Sequence, residues 1–158
     1  MGEAHRGFHS IRRHRKNSLG ISKPHGVPGR SARDHVALPL LAHGNSYREA
    51  SEEASRLLDR FGLLHAENRP FRALSGGEAQ RLMLARGFAS KPSLFLVDEP
   101  TAQLDLSTSS EVNSSLSKLA DDNVTVVVAT HDEQTRNACT DLIDLRLFQD
   151  PGSGGINQ

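Results

Sequence analysis

Ser93-Leu-Phe-Leu-Val-Asp-Glu-Pro-Thr101 is a short apolar run stopped by two carboxylates and a proline. Further along, Val124-Thr-Val-Val-Val-Ala129 is rich in β-branched residues and stops at Thr130-His-Asp132. Runs of this composition and length suit strands, and apolar residues at consecutive positions predict burial on both faces. Between them, Thr108-Ser-Ser-Glu111 has the spacing of a capping box, followed by Val112, Leu116 and Leu119 on one helical face. Strand, helix and strand in this span predict a right-handed crossover, hence two parallel strands. Their carboxyl ends then lie side by side, where open α/β sheets place ligand sites.

The residues at those ends are Asp98, Glu99 and His131. One carboxylate so placed can hold a magnesium ion, largely through water, and its neighbour can polarise an attacking water. Upstream, Leu74-Ser-Gly-Gly-Glu78 combines a hydroxyl, two glycines and the start of a helix carrying Leu82, Ala85, Phe88 and Ala89 on one face. Free backbone amides at a helix N-terminus form a phosphate-binding surface, and a plain cap has no need of the doubled glycine. Ser46-Tyr-Arg-Glu49 opens an earlier amphipathic helix through Ala50, Ala54, Leu57, Leu58 and Phe61, ending near Gly62.

The chain has 158 residues, enough for one domain with a buried core. Lys plus Arg and Asp plus Glu both number 19, so net charge suggests neither a nucleic acid nor an anionic membrane as partner. The distribution is uneven: residues 1–30 hold seven basic side chains against Glu3 alone. That segment lacks helical or strand periodicity, reads as disordered or foreign through residue 31, and has only Phe8 for base stacking. Cys139 is the single cysteine, which excludes an internal disulfide and fits a reducing compartment. No apolar run approaches the roughly 18–20 residues of a transmembrane helix.

Leu74-Ser-Gly-Gly-Glu-Ala-Gln-Arg81, Leu94-Phe-Leu-Val-Asp-Glu-Pro-Thr101, Leu104-Asp105 and Thr130-His-Asp132 resemble, in order and spacing, the signature motif, Walker B strand, D-loop and H-loop of ATP-binding cassette (ABC) ATPases. Ala32-Arg-Asp-His-Val-Ala-Leu-Pro-Leu-Leu41 is similar to the start of the helical subdomain in transporter ATPases of the lipoprotein-releasing and macrolide-exporter type. The resemblance implies an α/β P-loop NTPase-type parallel sheet with a helical subdomain over 32–90, an ATPase core over 91–148 and a flexible tail at 149–158. It implies ATP and Mg2+ as ligands and ATP hydrolysis as the reaction. Asp98 would coordinate the metal, Glu99 would be the general base and His131 would contact the γ-phosphate. Ser75, Gly76, Gly77 and Glu78 would contact the γ-phosphate of ATP on an opposite subunit, and Asp105 would communicate across that dimer. A transmembrane permease and a second cassette are the implied partners. No nucleic acid is expected, and the place is cytoplasmic, peripheral at the inner face of the membrane through the permease.

The phosphate cradle G-x-x-x-x-G-K-[ST] is absent from these residues: no Gly-Lys pair occurs, and none of Lys16, Lys23, Lys91 and Lys118 precedes Ser or Thr. Ser22 stands where the family usually carries a metal-sensing glutamine. The expectation is therefore a cassette lacking its N-terminal third, through truncation, a frameshift or an altered start. Its strand edges would be exposed and its stability marginal. The isolated chain is expected to be inactive. The alternatives are a non-catalytic partner donating its signature motif to another cassette, and a non-functional fragment.

Overall fold

A computed structural model describes residues 18–21, 24–102, 104–120 and 124–148. Three parallel strands form one sheet: β1 (Ser18–Ile21), β2 (Leu94–Asp98) and β3 (Thr125–Ala129), with β2 in the centre. The register puts Leu94 opposite Thr125 and Asp98 opposite Ala129. The crossover helix α4 (Leu106–Ala120) connects β2 to β3, as the strand–helix–strand pattern predicts.

Helices α1 (Ala32–Ala42), α2 (Tyr47–Arg60) and α3 (Gly76–Ala89) pack on one another, and α3 also packs on α4 and β1. Of the three capping-box spacings in the sequence, those at Ser46 and Ser75 are formed. The Ser46 and Ser75 hydroxyls accept from the amides of Glu49 and Glu78, whose carboxylates accept from the amides of Ser46 and Ser75. The α2 face of Ala50, Ala54, Leu57 and Leu58 is buried, and Gly62, at φ +69°, lets the chain turn left-handed just beyond the helix.

Three expectations are corrected. Helix α4 begins at Leu106, not at Thr108, because Asp105 supplies the cap: its carboxylate accepts from the amide and hydroxyl of Thr108 at 3.0 and 2.7 Å. The strands are not buried on both faces. Phe95 and Val97 face the helices and are buried, whereas Leu96 and Val127, paired in register, are 41% and 48% exposed. Helices cover one face of the sheet among the described residues, and β3 lies at its edge. Lastly, Ser18–Ile21 is a strand of the sheet although it lies within the basic segment read as disordered or foreign. Its pairing with β2 comes from residues distant in sequence, which local composition does not report. The rest of that segment up to residue 17 and the tail 149–158 lie outside the described residues.

Candidate functional site at the strand ends and the α3 N-terminus

The structure brings the predicted residues into two groups. At the carboxyl ends of β2 and β3, Glu99 leaves the strand at φ +46°, a left-handed conformation costly for a residue with a Cβ and frequent at functional sites. Its amide donates to the Ala129 carbonyl at 2.9 Å, continuing the ladder for one rung. Its carboxylate gathers the neighbouring loop: Oε1 accepts from the His131 amide at 3.2 Å and lies 2.7 Å from His131 Nδ1, and Oε2 accepts from the Thr130 hydroxyl at 3.3 Å. The remaining imidazole edge is in solvent, since His131 is exposed. Asp98 is exposed beside the pair, and among the described residues no hydrogen bond or ion pair engages its carboxylate.

The hydrogen bond to Glu99, and then its charge, hold the His131 imidazole above its ordinary pKa. The folded state therefore binds this proton more tightly than the unfolded chain. The pair's contribution to stability is complete below the ordinary value of about 6.5 and is lost as pH rises through the higher folded value. An NMR titration of His131 should show a midpoint above that of a free imidazole, and Glu99→Gln should bring it back down. A wild-type midpoint at or below the free value would mean that the pair does not form.

The second group is the N-terminus of α3. Ser75 and Gly76 are exposed, and the amides of Gly76 and Gly77 belong to the first helical turn, which has no internal acceptors. Glu78 does not point outward freely. Its Oε1 takes His65 Nε2 and Arg69 Nη1, each at 3.0 Å, and its Oε2 takes the Ser75 amide at 2.7 Å. Burial pushes the Glu78 carboxyl up, but the Ser75 amide, His65 and Arg69 outweigh it and leave the group below its ordinary pKa. Arg69 also donates to the Ala73 carbonyl, tying the preceding loop to the same carboxylate.

Gly77 is needed for close packing: a Cβ there would overlap the Thr108 methyl. Thr108 is in turn held by Asp105, whose carboxylate these two bonds keep below its ordinary pKa. The cap of α4 thus sits against the glycines of α3, with Arg81 of α3 paired to Glu111 of α4 one turn further on. His65, Arg69, Thr101 and Thr135 were not singled out in the sequence. Each is a lone polar residue in a turn or short helix, and only the folded contacts distinguish it.

A parallel α/β sheet with acid and imidazole at adjacent strand ends, together with an open glycine-led helix N-terminus, defines a P-loop NTPase-type domain. The family model described as "ABC transporter" matches residues 4–102, starting within the basic segment. The chain belongs to the ABC transporter ATP-binding family. It is 36% identical over 148 residues to the lipoprotein-releasing system ATP-binding protein LolD of Acinetobacter baylyi, covering 92% of this chain and 64% of that protein. It is 35% identical over 120 residues to the macrolide export ATP-binding/permease protein MacB of Bdellovibrio bacteriovorus, covering 76% of this chain and 18% of that one. The dimeric, post-hydrolysis structure of the cassette MJ0796 bound to ADP and Pi superposes with a TM-score of 0.63 at 34% identity, over 71% of this chain and 50% of that one. The chain thus spans less than two thirds of the length of these relatives.

Proposed function

We propose that the chain is the signature-, Walker B- and H-loop-bearing part of a cassette that couples ATP binding and hydrolysis to transport through a membrane permease. The observation that carries this reading is the 2.7 Å contact between Glu99 and His131 across two adjacent strand ends. In it, Glu99 accepts the proton of an attacking water and His131, held by that same carboxylate, turns its free ring edge towards the terminal phosphate.

Asp98 suits Mg2+: its exposed carboxylate at a strand end, unengaged among the described residues, can hold the ion together with water and phosphate oxygens. The ion would supply charge neutralisation on the phosphates. The cradle for ATP's β- and γ-phosphates is not among these 158 residues. The exposed Ser75 hydroxyl and Gly76, with the first-turn amides of Gly76 and Gly77, suit the γ-phosphate of a nucleotide held by a second cassette. In this reading the chain sits at the inner membrane face through its permease; no described helix is long and apolar enough to cross a membrane.

The absence of the cradle favours a second reading, in which the chain only completes the site of a partner. Nucleotide binding and steady-state ATPase should be measured with magnesium, for the chain alone and mixed with a full-length cassette subunit. No turnover alone, and turnover in the mixture above that of the partner by itself, is expected. Turnover by the chain alone that Glu99→Gln abolishes would show that another segment holds the phosphates. No effect on the partner would overturn both readings in favour of an inactive remnant.

A further inference from the structure

Beneath the Glu99–His131 pair lies a polar cluster that the proposed chemistry does not use. Thr135 is 1% exposed and Asn113 6% exposed, on α5 (Glu133–Asn137) and α4 respectively. The Thr135 hydroxyl lies 2.7 Å from Asp132 Oδ2, 3.0 Å from the Thr101 hydroxyl and 3.2 Å from Asn113 Oδ1. A hydroxyl has one proton and two lone pairs, and a carboxylate only accepts. The proton therefore goes to Asp132, the nearest acceptor. Asn113 Oδ1 is then left facing an oxygen, while Asn113 Nδ2 is buried without a partner. Turning the amide by 180° removes the clash of oxygens: Nδ2 then donates to Thr135 Oγ1, as does the Thr101 hydroxyl, so that the Thr135 hydroxyl gives one hydrogen bond and accepts two.

This hub joins three elements: the loop after β2 through Thr101, helix α4 through Asn113, and the loop after β3 through Asp132. Glu99 lies two residues before Thr101, and His131 immediately before Asp132. Asp132 is further fixed by the Thr135 amide at 2.7 Å, and its own amide donates to Thr130 Oγ1 at 3.0 Å. A helix cap needs only one carboxylate and one amide, and a buried polar network is an expensive way to fill a core. We infer that the Thr135 hydroxyl, seated on Asn113, is a positioning group that holds the Glu99 and His131 loops at contact distance. Through Asn113 it also anchors them to the middle of α4, whose first turn packs on Gly77 through Thr108, so one helix touches both groups of site residues.

The inference rests on the reading that Glu99 and His131 act as a pair, but its test needs no nucleotide. The rate at which the His131 amide exchanges with solvent, read by NMR in the full chain, reports the bond between the two loops. Thr135→Val keeps the shape and removes the hydroxyl, and should raise that rate about tenfold, while Thr135→Ser should restore it. If Thr135→Val does not fold, Thr101→Val against Thr101→Ser makes the same comparison from the other loop. Faster exchange confined to Arg136 and Ala138, with His131 unchanged, would reduce Thr135 to a helix cap and overturn the inference. So would a serine variant that fails to restore protection. ATPase results leave either outcome standing, because exchange is read on the free chain.

Discussion

Replacing Ser75 by Arg is expected to abolish the ATP turnover that this chain supports in a mixture with a full-length cassette, lowering it by about 10²–10³-fold. The site at the start of α3 works through small groups: the Ser75 hydroxyl and the amides of the first turn, with Ser75 and Gly76 exposed and Gly77 packed beneath Thr108. Preorganised donors of this kind matter because they cost no rearrangement when charge develops, and a long side chain over them removes all of them together. The substitution also removes a cap worth about 1 kcal/mol. Ser46→Ala is the control, since it dismantles the equivalent box of α2, which faces no candidate ligand. It should cost similar helix stability and leave turnover unchanged. Glu99→Gln separates the two functional readings. It should have little effect if the chain only lends its α3 terminus to a partner, and should halt turnover at any site where Glu99 faces the water.

These features differed in how far local sequence revealed them. Ser46 to Glu49 and Ser75 to Glu78 could be read because a capping box is a contact between residues three apart, closed by the chain's own geometry. The same rule misplaced the start of α4. Thr108 to Glu111 has the box spacing, but Asp105 is the stronger cap, and Thr108 itself is its ligand. The parallel strands and their functional ends followed from apolar runs broken by polar residues. The edge that β1 forms with β2 and the bareness of Leu96 and Val127 did not, because both depend on what lies beside or above the strand. The hub at Thr135 was equally hidden. A threonine in a short helix reads as solvent-facing until Asn113 arrives from a helix more than twenty residues away.

Phe95→Ala is expected to cost about 3–5 kcal/mol, against total stabilities of about 5–15 kcal/mol for small domains. Phe95 is fully buried in the middle of the central strand, on the side that meets the helices, and shares the core with Leu82, Leu84, Val112 and Leu119. Removing the ring deletes apolar contact and leaves a cavity between two layers that neither can close alone. Chemical denaturation of the full chain, with the slope checked for two-state behaviour, measures it. The informative comparison is Val127→Ala on the opposite face of the same sheet. There the side chain is 48% exposed, and the expected cost is below about 1 kcal/mol. A large cost at Phe95 and a small one at Val127 is what a sheet covered on one face requires. Comparable costs at both would mean that in solution the second face is covered as well. A concentration-dependent midpoint would then identify the cover as another copy of the chain, since stabilisation by association grows with protomer concentration, roughly with its logarithm.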